Sequence, residues 1–189
     1  MALQAIMQYV DNVVSSFNAA RLELLFFSEE LIYALKQLQN DKTPGMDGVT
    51  KEFMIQFWDL LHTWVLEMVN HAWESQTLHP DLTRGIIKLF PKQIFCSALS
   101  HWRPISMMGI IYKSMAKAIA IRMSPILRQT VHSNQLGLIG SRYFYDNILA
   151  VQLGVEYARR SKQEAVLLQL DFAKAFDSVD WSFISILWL

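Results

Sequence analysis

The apolar positions of this chain recur mostly at the three- and four-residue spacing of amphipathic helices. Leu31, Leu35 and Leu38 predict one such helix, and a longer helix is predicted from Thr50 to the residues before His79. The buried face of the longer helix is expected to hold five side chains: Phe53, Phe57, Leu61, Trp64 and Met68. Further helices are predicted in three stretches: 6–17, 111–123 and 146–162.

Two other stretches have the apolar character and the length of short strands. Residues 86–91 are predicted as one strand, and ordered chain resumes at Trp102. A second strand is predicted over 165–170, directly before Asp171, and the spacing of the apolar residues that follow predicts a short helix. The pattern therefore combines several helices with a small amount of β structure.

The composition limits what such a chain could be. Its 189 residues are 52% hydrophobic, which is enough to build the core of one domain. No uninterrupted apolar run reaches the roughly 18 residues of a membrane span, and the first ten residues lack the basic start of a signal peptide. The single cysteine, Cys96, excludes an internal disulfide and a thiolate metal cluster. We expect an intracellular protein without a membrane span; nothing in the pattern distinguishes nucleus from cytoplasm.

Charge is unevenly distributed along the chain, although the net charge is zero. Residues 1–90 hold six basic and eleven acidic side chains, a balance of −5. Residues 91–163 hold ten and two, a balance of +8, and residues 164–189 hold one and four, a balance of −3. A solvated charged face would explain the basic segment. A basic surface that leads into an acidic strand end is also what the binding of phosphates requires.

Asp171 stands at the end of the second predicted strand, where chemistry placed on a sheet usually sits. A carboxylate with a nearby backbone carbonyl suits Mg²⁺, a hard cation that keeps several waters and binds substrate phosphates. The same residue would also serve as an ordinary helix N-cap, so both interpretations stay open. Histidines offer no competing metal site, because His62, His71 and His79 are too widely spaced on a helix to converge.

The residues around Asp171 carry a recognisable motif. Residues 170–179, Leu-Asp-Phe-Ala-Lys-Ala-Phe-Asp-Ser-Val, resemble the first catalytic-aspartate motif of reverse transcriptases in the form used by non-LTR (LINE-like) retrotransposons. The resemblance runs from about Phe27 to the C-terminus. It includes the Lys-x-Pro-Gly-x-Asp-Gly loop at 42–48, the Pro-Lys and Arg-Pro-Ile-Ser segments that begin at Pro91 and Arg103, and a fingers motif at 135–148.

The chain departs from the family pattern at a few positions. Met46 stands where proline is common, Leu138 replaces an aromatic residue, and Ser141 replaces the glycine expected before Arg142. The loop 94–99 is apolar, whereas the family loop is usually polar. The apolar version of this loop is consistent with sequence decay.

The resemblance implies an α+β fold. It consists of a mainly helical fingers region plus the first palm strand of a right-hand polymerase fold, with an incomplete palm. The implied organisation is an N-terminal helical segment of unassigned role over 1–26, a fingers-like region over 27–163 and the start of the palm over 164–189. A fingers hairpin is expected near 86–105, and the palm strand is expected near 165–170.

The resemblance also implies roles for individual residues. Asp171 is the implied catalytic carboxylate, and it would bind Mg²⁺ together with the Phe172 carbonyl. Lys92 and Arg103 are implied to hold the triphosphate of an incoming deoxynucleotide (dNTP), since phosphate oxygens need several charge-assisted donors. Phe176 matches the family's aromatic gate against the ribose 2′-hydroxyl.

An RNA template and a DNA primer are the implied partners, so cations are expected to contact nucleic acid. They are Lys42, Lys113, Lys117 and Arg142. Lys113, Lys117 and Arg122 alternate with apolar residues on one predicted helix. That pattern suits a helix that packs on the core and presents cations to nucleic acid, although solvated lysines produce it too.

One part of the polymerase pattern is missing. Template-directed polymerases hold two Mg²⁺ ions between carboxylates of two strands, and the family's second motif, an aspartate pair, does not occur in these 189 residues. We therefore expect a fragment, truncated after the first motif, with an incomplete Mg²⁺ site and no polymerase activity alone. Asp177 or a partner subunit would be the first sources of another carboxylate. Two alternatives stay open: a nucleic-acid-binding remnant without catalysis and a helical interaction protein.

Overall fold

A computed structural model describes residues 14–132, 135, 137, 139, 140, 142–162, 164–170 and 178–182. The chain divides into two compact units, the first ending at Arg142 and the second beginning at Tyr143. The domain boundaries that the sequence suggested after residues 26 and 163 remain predictions.

Helices dominate the described part of the chain. The elements are α1 (Ser16–Glu23), α2 (Ser28–Lys36), α3 (Lys51–Gln56), α4 (Trp58–Ser75), α5 (Pro80–Thr83), β1 (Gly85–Pro91), β2 (Trp102–Met108), α6 (Ile110–Thr130) and α7 (Phe144–Ser161). A short 3-10 turn, Leu99–His101, precedes β2. Mostly helical structure with a two-stranded antiparallel sheet confirms the α+β class. Within the described residues, no helix is long and apolar enough to cross a membrane.

The core of the first unit is built from α2, α4 and α6. The buried side chains of this core are Phe26, Leu31, Ala34, Leu35, Met54, Trp58, Val65, Val69, Ile110 and Ala118. The helix predicted from leucine spacing is confirmed, because Leu31 and Leu35 are buried and Leu38 packs partly against the core. Fully burying one such side chain is worth about 1.5–3 kcal/mol, so this stripe is a main reason for α2 to pack against α6.

Phe26 anchors the connection between α1 and α2 in this core. Its ring is buried and meets the Trp73 ring edge to face, with centroids 5.2 Å apart. The Asn70 side chain brackets its backbone: the Phe26 N–H donates to Asn70 Oδ1 at 2.7 Å, and Asn70 Nδ2 donates to the Phe26 carbonyl at 3.0 Å. Both polar groups of this buried backbone are thereby satisfied, which permits a connection to enter the core.

The long helix predicted from Thr50 is interrupted, and its predicted buried face is wrong. Phe57, with φ −106° and ψ 19°, separates α3 from α4, although no glycine or proline occurs between Thr50 and Ser75. Four of the five predicted side chains are 39–66% exposed: Phe53, Phe57, Trp64 and Met68. The core positions lie one residue later: Met54, Trp58, Val65 and Val69. Two stripes one residue apart are separated by about 100° on a helix, and packing in the core selects the second.

The helix predicted over 111–123 is confirmed as part of α6, but its buried face is again displaced by one residue, this time towards the N-terminus. The most deeply buried positions near its start are Ile110, Ser114 and Ala118. The predicted positions pack only partly against the core: Ile111, Met115 and Ile119. The Ser114 hydroxyl donates to the Ile111 carbonyl at 2.7 Å, so a polar side chain is satisfied inside the core.

The hairpin expected near 86–105 is confirmed. β1 and β2 pair antiparallel, with a register that runs from Gly85 opposite Met108 to Pro91 opposite Trp102. The Lys92 N–H extends the ladder by donating to the His101 carbonyl at 2.8 Å.

The second unit contains α7, which confirms the helix predicted over 146–162. The strand predicted over 165–170 is wrong, because residues 164–170 form no strand and lie exposed; Val166 is 94% exposed. A strand requires a neighbour that supplies ladder hydrogen bonds, and no described residue of this unit does so. The short helix predicted after Asp171 falls mainly outside the described residues.

Candidate nucleotide and nucleic-acid interface

The β1–β2 hairpin brings together Lys92 and Arg103, which are eleven positions apart in the sequence. Arg103 lies opposite Phe90 in the ladder, and Lys92 follows Phe90 by two residues. Lys92 directly follows Pro91, the last residue of β1, so both cations lie at the loop end of the hairpin. Both are exposed, and Lys92 Nζ donates to the exposed Ser100 carbonyl at 2.7 Å. One end of the hairpin therefore offers an ammonium and a guanidinium, a donor pair suited to phosphate oxygens.

The tip of the hairpin is apolar and open to solvent. Ile94, Phe95 and Leu99 are almost fully exposed, and the stretch from 93 to 100 contains no charged residue. The Cys96 thiol donates to the Gln93 carbonyl at 3.1 Å, which helps to fold the tip back. The tip thus adds no charge to the pair at the base of the loop.

The loop 43–48 packs against the start of α6. A Cβ atom at Gly45 would lie 2.5 Å from the backbone nitrogen of Gly109. The two backbone segments therefore approach as closely as only glycine permits. Gly48 has φ +67°, which also favours glycine. Asp47 Oδ1 accepts the Val49 N–H at 3.1 Å and closes the turn. These contacts confirm the turn predicted from the loop's composition.

A groove of about 260 Å³, which we call the basic groove, lies beside this loop and is bordered by Lys42 and Lys113. Lys113 Nζ lies 3.5 Å from the Thr43 carbonyl, so the α6 lysine leans over the loop. Pro44 and Ile110 contribute apolar walls, and no acidic residue lines the groove among the described residues. Lys51 lines the groove too, but its ammonium is directed to acceptors at the end of α2. The ammonium groups of Lys42 and Lys113 favour an anionic ligand.

Lys117 is one turn further along α6 and lines a different hollow of about 350 Å³, together with Ser124 and Gly140. Of the cations that the sequence assigned to nucleic acid, the structure brings Lys42 and Lys113 into one groove and leaves Lys117 outside it. All three assignments remain predictions.

Arg142 has a structural task at the end of α6. Its Nη1 donates to the carbonyls of His132 and Gln135, both at 2.6 Å, and its Nη2 donates to those of Arg128 at 3.2 Å and Val131 at 2.8 Å. Carbonyls at a helix C-terminus lack intrahelical partners, so one guanidinium satisfies several of them. The contact of Arg142 with nucleic acid stays a prediction.

Arg122 corrects the expectation that the cations of α6 are presented to nucleic acid. Its guanidinium donates to both carboxylate oxygens of Glu30, at 2.5 and 2.6 Å, and the two side chains are only 12% and 20% exposed. It lies 4.3 Å from the centre of the Phe26 ring. It also donates to three backbone carbonyls: Leu22, Leu24 and Leu25. Arg122 therefore ties the α1–α2 connection to α6, and its charge is used inside the protein.

Lys51 is a buried cation that sequence reasoning missed. Its Nζ donates to the Lys36 carbonyl at 3.1 Å, to Asn40 Oδ1 at 2.6 Å and to the Leu38 carbonyl. These acceptors lie at the C-terminal end of α2, where the helix dipole favours a positive charge. The only sequence signal was its position after the helix-capping Thr50, which does not distinguish it from an exposed lysine.

Glu52, on α3, contacts the loop that follows α2. Its Oε1 accepts the Asp41 N–H at 3.1 Å, and Asp41 is in the left-handed region with φ 53°. The backbone N–H groups of Glu52 itself and of Asp41 lower the pKa of the Glu52 carboxyl, helped by the Thr50 hydroxyl and the charge of Lys51. The ionised carboxylate is thus the form that supports the Asp41 turn.

The predicted catalytic centre lies outside the described residues, which include none of Asp171, Phe172, Phe176 and Asp177. In the described part of the chain, no group of three His, Cys, Asp or Glu side chains is placed to hold a metal ion. A carboxylate and a backbone carbonyl are donors of the kind that Mg²⁺ prefers. The donor type therefore fits Mg²⁺.

Comparison with known proteins gave two matches. A family model described as "Reverse transcriptase (RNA-dependent DNA polymerase)" matches residues 90–187, which is just over half of the chain. The chain is also similar to the "Transposon TX1 uncharacterized 149 kDa protein" of Xenopus laevis, with 33% identity over 172 residues. That similarity covers 91% of this chain and 13% of the relative, so the chain spans a small part of the relative's length. The family match includes Lys92, Arg103 and Asp171, and Lys42 precedes it.

Proposed function

The chain belongs to the family of reverse transcriptases (RNA-dependent DNA polymerases), and on that premise we propose that it forms the fingers region and the first catalytic segment of such an enzyme from a non-LTR (LINE-like) element. Its substrates are a dNTP, an RNA template and a DNA primer. The 189 residues supply only part of the two-metal site, so they do not extend a primer alone.

The observation that carries this proposal is the placement of Lys92 and Arg103 at one end of the β1–β2 hairpin. Both are exposed, and neither forms an ion pair with a carboxylate of the described residues, so they are suited to an anion that comes from outside. Lys92 would exchange its bond to the Ser100 carbonyl for a phosphate oxygen. A phosphate oxygen carries a negative charge and the Ser100 carbonyl does not, so the exchange adds an ion pair to the ammonium's hydrogen bond and favours the triphosphate.

In the proposed site, Asp171 and the Phe172 carbonyl hold Mg²⁺. The bound ion would stabilise the negative charge that develops on the phosphates during transfer. Phe176 would form an apolar wall where a ribose 2′-hydroxyl would otherwise lie, which selects deoxynucleotides because the buried hydroxyl would find no partner.

Nucleic acid is proposed to follow the basic groove. Lys42 and Lys113 would contact phosphates of one strand, and Lys117 would extend the contact along α6. Arg142 would join it only by exchanging one of its carbonyl partners for a phosphate oxygen. The shared groove of the first two lysines supports this part of the proposal most directly.

Primer extension tests the catalytic part. The 189-residue chain is incubated with a primed RNA template, dNTPs and either Mg²⁺ or Mn²⁺, beside an Asp171→Ala variant. No extension is expected from either, because loss of even one preorganised group costs roughly 10²–10³ in rate in other enzymes. Extension by the parent chain that Asp171→Ala abolishes would overturn the proposed inactivity and point to Asp177 or a partner subunit as a second carboxylate source.

Binding of a fluorescent dNTP analogue tests the hairpin. Lys92→Ala and Arg103→Ala are each expected to weaken binding about tenfold, since a hydrogen bond to a charged group contributes about 1.5–3 kcal/mol. Lys36→Ala, an exposed cation at the end of α2, serves as the matched control. Equal losses in all three variants would show only a general charge effect.

A nucleic-acid-binding module without catalysis is the second candidate, and the basic groove is the observation that favours it. Log affinity for single-stranded RNA falls with log salt concentration. Lys42→Ala and Lys113→Ala are each expected to reduce the steepness of this fall by about 1. Retained salt-dependent binding with no dNTP binding would favour this candidate over the first.

A further inference from the structure

A second hollow, of about 800 Å³, is separated from the basic groove by the loop 43–48 and the first turn of α6. Pro44 and Ile110 face the basic groove, whereas Asp47 and Ile111 face this second hollow. We call it the acidic hollow. Its volume is within the range of about 300–1,000 Å³ that is usual for ligand sites.

The lining combines an apolar floor with a polar rim. The floor is formed by Met68, Ala72, Leu78, Leu82 and Ile111. The rim carries Asp47, His71, Ser75, Thr77, His79 and Asp81. A floor of this kind takes up an apolar group, and the rim decides which polar groups may accompany it.

The rim favours a cation. Asp47 and Asp81 are its acidic side chains, and no lysine or arginine belongs to the described lining. His79 Nδ1 accepts the Asp81 N–H at 3.3 Å and lies 3.4 Å from Asp81 Oδ2. Arg84 lies outside the hollow and pairs with Asp81 Oδ1 at 3.2 Å, where both side chains are well exposed. An exposed pair of this kind is weak, and so is the exposed contact of Asp81 Oδ2 with His79 Nδ1 at 3.4 Å, so an incoming cation can compete for the Asp81 carboxylate.

We propose that the acidic hollow binds an apolar side chain flanked by basic residues, presented by a segment of a partner protein. The apolar side chain would lie on Met68 and Ala72, and the neighbouring ammonium or guanidinium would reach Asp47 and Asp81. A phosphate-bearing ligand is disfavoured here, because like charges would meet at short range. The opposite charge preferences of the two hollows would let the chain hold nucleic acid and a protein partner at once.

The test uses the whole chain and two short peptides, Ac-Lys-Phe-Lys-NH₂ and Ac-Glu-Phe-Glu-NH₂. Imidazole carbon–proton NMR signals report where each peptide binds. The basic peptide is expected to shift the signals of His71 and His79 saturably and to leave those of His62 and His101 unchanged. Equal shifts with the acidic peptide, shifts of all the histidines, or no saturable shift would overturn the proposal.

Substitutions at Asp81, on the rim, and at Arg84, beside it, are expected to change the affinity for the basic peptide in opposite directions. Partial unfolding would not produce opposite changes. Asp81→Asn is expected to weaken the basic peptide about two- to fivefold, and Arg84→Gln is expected to strengthen it by a similar factor, as for single exposed ion pairs. Ala72→Phe fills the floor and is expected to abolish binding. Unchanged affinity in Asp81→Asn and Ala72→Phe would overturn the assignment to this hollow.

Discussion

Two pairs of cations in the first unit differ in what their charges contact. Arg122 and Lys51 are enclosed by backbone carbonyls and by Glu30 or Asn40. Lys42 and Lys113 border an open groove that no described acidic residue lines. The first pair holds the fold together, and the second pair is available for a ligand. The difference teaches that a basic residue contributes to a binding surface only if the fold leaves its charge unused.

This comparison changes the meaning of the basic segment 91–163. Its balance of +8 suggested a strong field for phosphates, but Arg122 and Arg142 direct their guanidinium groups to partners inside the first unit. Arg160 pairs with Glu156 at 2.8 Å on the surface of the second unit. The charge that can reach nucleic acid is therefore smaller than the sequence count.

Arg122→Ala is the strongest test of the difference between enclosed and open cations. We expect a loss of about 3–5 kcal/mol in the free energy of unfolding, because Glu30 would keep a largely buried charge without a partner. Urea unfolding followed by circular dichroism measures the change. Arg160→Ala removes an exposed ion pair and is expected to change the same quantity by less than about 0.5 kcal/mol. Similar losses in both variants would contradict the distinction.

Lys51→Met removes the second enclosed charge and keeps most of the side-chain volume. The expected loss is about 1.5–3 kcal/mol, since three acceptors at the end of α2 would lose a charged donor. Lys36→Met, at an exposed position of the same helix end, is the control and should be nearly neutral. A neutral Lys51→Met variant would show that water replaces the ammonium.

Lys113→Gln tests the open side of the comparison. Its unfolding free energy is expected to stay within about 0.5 kcal/mol of the parent value, because the one hydrogen bond of Lys113 Nζ, to the Thr43 carbonyl at 3.5 Å, is long and open to solvent. Its affinity for single-stranded RNA is expected to fall at the same time. Destabilisation as large as that of Lys51→Met would mean that the basic groove is a structural feature.

The smallest expected effect concerns Glu52. Because its pKa is lowered in the folded chain, the stability that its carboxylate contributes is present above the pKa of the unfolded state and is lost as the pH falls through the folded pKa. Glu52→Gln should therefore be less stable than the parent at about pH 7, and this difference in stability should shrink as the pH falls through the folded pKa. A difference that persists at low pH would show that the carboxylate charge is not its cause.

The sequence predicted local structure well where short-range chemistry decides it. The turn residues of 43–48, the hairpin near 86–105 and the helices that became α2, α6 and α7 were all predicted from spacing, turn chemistry or family motifs. The strand predicted at 165–170 was wrong because strand formation depends on contacts with distant parts of the chain. Its apolar run has strand character, but a strand forms only when a neighbour completes its hydrogen bonds.

By itself, the sequence determined the family, the mainly helical α+β class and the identity of the candidate catalytic residue, because motifs and periodicity are properties of neighbouring positions. Only the tertiary structure decided which helix faces are buried. In α3 and α4 two apolar stripes lie one residue apart, and packing in the core chose the one with Met54 and Val65. The tertiary structure also decided which cations have their charge bound inside the protein. Glu30, the partner of Arg122, lies 92 residues away along the chain and meets it only in the fold.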